Sequence, residues 1–242
     1  MTQSHESPLI LITGGTSKIG RFLVEEYAHK GWRIALHYHE NLACAEGLKD
    51  RFPIQIQLYK CDFLNSNALE RLIGAVVQKQ GLPYVLVNNA AYFKRDEIDT
   101  AQEALFLKHM KINVWAPLAL SKHYSAFLKK ENSGVIINMI DQRVWNLTPH
   151  FTTYTLSKSC LWTLTQTLAL ALAPRVRVNG VGLGAMLPDP YLSEEQLSRK
   201  GQGVPLQKIT TLEEVATSLD FLIHAKSVTG QMIALDNGEH LG

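Results

Sequence analysis

Tyr154 and Lys158, in the run Tyr154-Thr155-Leu156-Ser157-Lys158, are the two side chains most suited to shared chemistry. On a helix, residues four apart lie on one face and reach one site. A free phenol titrates at about 10, too high for acid–base work near neutrality. A neighbouring ammonium stabilises the phenolate, so Lys158 is expected to bring Tyr154 down. The pair opens a long, largely apolar helical stretch, Thr152 to Leu172, that follows an apolar strand run. A chance pair on a surface helix would lack that setting. Directly after the strand run stands Asp141. A carboxylate there can bind a cationic or amide N–H group or relay a proton; the alternative is an ordinary aspartate in a strand-end turn. Asn113 sits inside another helical stretch, where asparagine costs helix propensity.

A second group of residues suits a phosphate-bearing ligand. Thr13-Gly14-Gly15-Thr16-Ser17-Lys18-Ile19-Gly20 follows the first apolar strand and opens the first helix. Glycines let the backbone pass close to a pyrophosphate, and the helix N-terminus offers free N–H groups and a positive dipole end. Lys18 adds a point charge within the turn. His37-Tyr38-His39-Glu40-Asn41 ends the second strand, where such folds meet the adenosine ribose. His37 and His39 share a strand face as a metal pair would, but no third ligand accompanies them, and no metal is expected. Cys61-Asp62-Phe63 follows the third strand; Asn65 and Ser66 are better placed than Asp62 to cap the next helix. Asn88-Asn89-Ala90-Ala91 follows the fourth strand, and its small residues let the backbone lie against a ligand.

These motifs together resemble the short-chain dehydrogenase/reductase family, along essentially the whole chain. The glycine turn is similar to the family's T-G-x-x-x-G-x-G, with Lys18 for the middle glycine, and Asn88 to Ala91 resembles its N-N-A-G. The family's third catalytic group, usually Ser, lies thirteen residues before the tyrosine, at Asp141 here. Asp141, Lys18, His37-Tyr38-His39 and Phe93 resemble the pteridine reductase branch, including bacterial dihydromonapterin reductases. The resemblance implies Asn113, Asp141, Tyr154 and Lys158 as catalytic residues, with Asn113 distorting its helix and holding a water that links Lys158 to solvent. It implies cofactor contacts from Gly14, Thr16, Ser17, Lys18, Ile19, His37, Tyr38, His39, Asp62, Phe63, Asn89, Ala90, Ala91, Tyr154, Lys158 and Gly184, with Asp62 accepting from the adenine amino group. Phe93, Asp141, Tyr154 and Met186 are the implied substrate contacts, Phe93 covering one face of a pterin ring. NADP(H) is the implied cofactor; Glu40 stands where pteridine reductases carry Arg, and a carboxylate beside a phosphate leaves NAD open. The usual Pro-Gly after the sixth strand reads Leu183-Gly184.

The elements that must position these residues alternate from end to end. Apolar strand runs are expected at Leu9–Ile12, Arg33–Tyr38, Ile54–Tyr59, Tyr84–Val87, Val135–Met139, Val176–Val178 and Met232–Leu235. Helical stretches fall at Phe22–His29, Leu42–Arg51, Ala68–Gln80, about Glu103–Lys129, Thr152–Leu172 and Leu212–His224. Such alternation predicts an α/β chain, a Rossmann-type doubly wound domain of about seven parallel strands with helices on both faces. The length, 242 residues, suits one domain, 1–242. Gly180 to Val204 lacks a regular pattern and reads as a substrate lid at about 183–204.

A net charge of +2 without a basic block predicts no nucleic-acid partner. Cys44, Cys61 and Cys160 have neither disulfide nor metal spacing, as in a reducing compartment. No run is long enough for a membrane span, and Met1 to Pro8 is polar; a cytoplasmic protein is expected. Trp115, Trp162 and Leu168, on long helices more apolar than one sheet face requires, suggest subunit contacts, and the resemblance implies a homotetramer. The leading expectation is NADPH-dependent reduction of a dihydropterin or dihydrofolate. A carbonyl or 3-oxoacyl reductase and a non-catalytic NADP(H)-binding sensor stay open beside it.

Overall fold

A computed structural model describes residues 7–242. Met1 to Glu6, most of the polar segment considered above, lie outside the described residues.

Seven strands form one all-parallel sheet in the order β3-β2-β1-β4-β5-β6-β7. They are β1 (Leu9–Ile12), β2 (Arg33–Tyr38), β3 (Ile56–Lys60), β4 (Val85–Asn88), β5 (Gly134–Asp141), β6 (Val176–Leu183) and β7 (Met232–Leu235). The expected doubly wound Rossmann architecture is what forms. The central strands bury side chains on both faces, which is why they read as continuous apolar runs. Ile10 and Ile12 face one core with Leu36 and Val87, under helices α1 (Lys18–His29) and α8 (Leu212–His224). Leu9 and Leu11 face the other, under α3 (Ser66–Gln80), α5 (Ala116–Phe127) and α6 (Thr152–Leu172). Strand order reverses between β1 and β4, and the crevice at that switch point is where such sheets bind ligands.

Four expectations need correction. Glu103–Lys129 is not one α-helix: α4 (Glu103–Met110) passes into a π-helical turn, Lys111–Trp115, before α5 begins. Pro117 has no N–H to return to the Asn113 carbonyl four residues earlier, so the ladder widens there. β6 extends to Leu183 rather than stopping at Val178, because Gly180 and Gly182 lie against Ile140 and Met232 where a side chain would collide. Within Gly180–Val204 a further helix forms, α7 (Glu194–Gly203), started by a capping box between Ser193 and Gln196. Leu168 is buried in the core of its own chain and Trp162 packs on Ile140, Leu161 and Met232, whereas Trp115 is exposed. Boundaries elsewhere move by a few residues; α1 starts at Lys18, because Ser17 caps it, rather than at Phe22.

Candidate active site

The β5–α6 connection brings the reactive groups together. Asp141 ends β5, and α6 carries Tyr154 and Lys158 one turn apart, both buried against the same cavity of about 450 Å³. The Tyr154 hydroxyl donates to Asp141 Oδ2 at 3.1 Å. The Lys158 ammonium donates to the Met139 carbonyl at 2.7 Å and lies 5.7 Å from the Tyr154 ring centre. Burial lowers Lys158 to about 8, opposed by the charge of Asp141.

Burial and Asp141, rather than Lys158, dominate the surroundings of the Tyr154 hydroxyl. Burial, then the negative charge and hydrogen bond of Asp141, push its hydroxyl up from the ordinary value. Removing a phenol from water disfavours the phenolate, and the Lys158 ammonium is turned to the Met139 carbonyl. The protein by itself therefore keeps Tyr154 protonated, the state a proton donor requires. Asp141 is also pushed up by burial, and the backbone N–H and guanidinium of Arg143, then Lys158 and the Tyr154 hydroxyl, pull it back.

Asn113 sits in the middle of the π-helical turn with its side chain fully engaged. It accepts from the Tyr92 N–H at 2.8 Å, and donates to the Tyr92 carbonyl at 3.0 Å and to Ser157 Oγ at 2.9 Å. Ser157 in turn donates to the Tyr154 carbonyl. The wide turn is thus bolted to α6 and to the segment bearing Phe93. Phe93 stacks on Phe151 at 4.8 Å, lies edge-on to Tyr154 at 4.8 Å and lines the cavity. Tyr191 packs edge-on to both phenylalanines. Met186 is buried and lines the same cavity, as do Gly184 and Pro188.

At the other end of the cavity lies the glycine turn. Gly14 has φ +64°, and a Cβ there would meet Ala90 Cα at 2.9 Å, so the turn needs glycine on two counts. Ser17 accepts from the Gly20 N–H, leaving the N–H groups of Lys18 and Ile19 without helical partners. Asn89 locks the turn by donating to the carbonyls of Thr13 and Gly14, and Thr13 Oγ1 accepts from the N–H groups of Asn89 and Ala90. Ser17, Lys18, Ile19, Asn89 and Ala91 line the cavity together with Tyr154 and Lys158, so a dinucleotide laid from turn to tyrosine fits the residues present. Lys18 donates to the Pro188 carbonyl at 2.7 Å, joining the turn to the segment after β6.

His37 does not join this surface. Its ring is buried, accepts at Nδ1 from the Gly14 N–H at 3.1 Å, meets the Cys61 carbonyl through Nε2 at 3.0 Å and stacks on Phe63 at 4.4 Å. Burial lowers it to about 4, so it is a neutral prop beneath the turn. Tyr38 and Phe63 are likewise buried in the core, and Thr16 is half-buried in the turn. His39 is exposed, with Glu40 at 3.7 Å and Asp62 at 3.8 Å. Asp62 accepts from the Leu64 N–H. Among the described residues no cluster of three metal-ligating side chains occurs. Arg143, Phe151 and Tyr191 were not singled out by the sequence; nothing in their local pattern marks them, since two segments, the β5–α6 connection and the stretch after β6, converge on the cavity.

A family model described as Enoyl-(Acyl carrier protein) reductase matches residues 14–240. The chain belongs to the short-chain dehydrogenase/reductase family and is an oxidoreductase of that family. Among its relatives, Pteridine reductase 1 of Leishmania tarentolae is 30% identical over 293 residues, covering 100% of this chain and 99% of that protein. The structure is similar to FolM Alternative dihydrofolate reductase 1 from Brucella suis in complex with NADP, with TM-score 0.93, 35% identity, and 98% and 96% of the two chains covered. The Brucella canis FolM complexed with NADP gives TM-score 0.91 and 35% identity over 97% and 95% of the chains.

Proposed function

We propose that this protein is an NADPH-dependent reductase of a dihydropterin-type substrate, a dihydropteridine, dihydromonapterin or dihydrofolate, taking it to the tetrahydro form. One observation carries the reading: a carboxylate, Asp141, is hydrogen-bonded to the tyrosine where a carbonyl reductase needs a hydroxyl. A carboxylate repels a ketone oxygen and attracts N–H groups, which a pterin ring presents and a ketone does not. Phe93 offers the aromatic wall that a flat heterocycle stacks against. The pteridine reductase and dihydrofolate reductase names of the relatives support the same substrate class.

NADPH supplies the hydride when bound. The N–H groups of Lys18 and Ile19 and the Lys18 ammonium bind its phosphates, and Asn89, Ala90 and Ala91 give it a flat, narrow bed. Asp62 and His39 serve the adenosine end. Lys158 orients the ribose beside Tyr154. Tyr154 gives its proton to the ring nitrogen next to the carbon being reduced. Asp141 holds the Tyr154 hydroxyl and an N–H of the substrate, while Phe93 and Met186 cover the ring. Asn113 anchors the water through which the proton is replaced. Residues 183–204 act as the lid. The working form is a cytoplasmic homotetramer joined through the faces that carry exposed Leu107, Trp115 and Leu156, which light scattering would test.

The decisive experiment is a steady-state screen of NADPH and NADH oxidation with dihydropterins, dihydrofolate and small ketones. Turnover is expected with NADPH and a dihydropterin; activity with ketones alone would overturn the assignment.

A further inference from the structure

We infer that Arg143 is a positioning residue for this chemistry: it holds Asp141 in place as an anion, with Oδ1 taken up and Oδ2 left to the Tyr154 hydroxyl. The inference rests on the reductase reading above and assigns the control of its proton donor.

The two carboxylate oxygens of Asp141 have different partners. Oδ1 accepts from the Arg143 backbone N–H at 2.9 Å, and the Arg143 Nε lies 4.0 Å from the same atom. Oδ2 accepts from Tyr154 at 3.1 Å. A carboxylate that could rotate would offer the tyrosine either oxygen; one anchored at Oδ1 presents Oδ2 in a single direction. The backbone bond is the larger pull on Asp141 and survives any substitution at 143 except proline; the guanidinium adds the charge that a substitution removes. Asp141 lies on the cavity behind Met139 and Ile140, where burial favours the neutral acid.

Five groups face this carboxylate and its tyrosine: Arg143 after β5, Tyr154 and Lys158 on α6, His109 on α4, whose buried ring lies edge-on to Tyr154 at 5.9 Å and is kept neutral by burial, and Asp189 across the cavity, whose negative charge bears on Tyr154. Two are cations. Lys158 spends its ammonium on the Met139 carbonyl. A buried ammonium can lose its proton, whereas a guanidinium keeps its charge throughout the working range. Arg143 is therefore the permanent countercharge.

The guanidinium is itself held. Nη1 donates to Thr148 Oγ1 at 3.1 Å, and the guanidinium carbon lies 4.7 Å from the Phe151 ring centre. Phe151 has φ +60°, a left-handed conformation that a bulky side chain adopts only when its surroundings impose it. Its other stacking partner is Phe93. Arg143, Phe151 and Phe93 thus form a stack, and the arginine joins the aromatic wall of the cavity to the acid that orients the tyrosine.

The test compares Arg143→Met, which keeps length and loses charge, with Arg143→Lys, which keeps charge, using NADPH and dihydrobiopterin. In Arg143→Met, Asp141 keeps its proton to higher pH, and the acid limb of kcat/KM is expected to move up by about one pH unit. Arg143→Lys is expected to restore most of that shift, with NADPH affinity changed less than about twofold in both. An acid limb that stays in place in Arg143→Met overturns the inference. A second measurement needs no turnover: unfolding of Arg143→Met, Asp141→Asn and the double variant. A double variant less destabilised than the sum of the singles supports the pairing, and strict additivity overturns it. If the wild-type protein fails to oxidise NADPH with dihydrobiopterin, the substrate reading falls while the unfolding cycle still decides the role of Arg143.

Discussion

The Tyr154 hydroxyl donates to Asp141 Oδ2 at 3.1 Å, so a carboxylate, and not the ammonium of Lys158, is its direct partner. That bond, with burial, favours the protonated phenol, the state that the proposed role of Tyr154 as proton donor needs. Tyr154→Phe preserves the ring and its edge contact with Phe93 while deleting the proton. The expected result is a fall in kcat of about 100-fold to 10,000-fold. NADPH binding, read by fluorescence, is expected to persist. Turnover unchanged by the substitution would remove Tyr154 from the chemistry.

Lys158 is held at about 8 against an ordinary value of 10.5. Between these pH values the unfolded chain keeps a proton that the folded chain gives up. Stability is therefore lost as pH falls from the upper value to the lower, and stays reduced below it. Lys158→Met removes the titration together with the bond to the Met139 carbonyl, so the variant is expected to lose this pH dependence of stability while losing turnover. Thermal unfolding at several pH values measures it; equal stability across the range would contradict the buried ammonium.

His37 is the opposite kind of basic residue, useful because it is neutral. Its value is lowered to about 4 from 6.5, so the unfolded chain takes up a proton first as pH falls through that interval. The fold is expected to lose stability there, in proportion to the difference in bound protons. His37→Gln should flatten this part of the profile while lowering stability near neutrality by about 1–3 kcal/mol, because the Gly14 N–H loses its acceptor. An unaltered slope between those pH values would assign the titration to another group.

Lys18 contacts the Pro188 carbonyl and stands at the glycine-turn end of the cavity, where the proposed reading puts the cofactor phosphates. Lys18→Met is expected to weaken NADPH binding about tenfold and to reduce its salt dependence, since a point charge on a phosphate is lost. Titration at low and high ionic strength checks both. Equal affinity at every salt concentration would make Lys18 a tie to the Pro188 segment only.

Much of this protein is determined by its sequence alone. Local rules decide β1, where four consecutive apolar residues can only be buried from both sides, and α6, whose register puts Tyr154 and Lys158 on one face. The glycine turn belongs to the same class, because its glycines directly after an apolar strand mark a tight turn into a helix; the close pass of Ala90 at Gly14 is tertiary. Only the tertiary structure decided the rest. Whether Lys158 acidifies Tyr154 depends on burial and on the acceptor the ammonium finds, and neither is a function of spacing. His37 and His39 share one motif, yet one lies beneath the turn and the other in solvent. Arg143, Phe151 and Tyr191 meet at the cavity because separate segments converge there, and electrostatics and packing act through space between residues far apart in the chain.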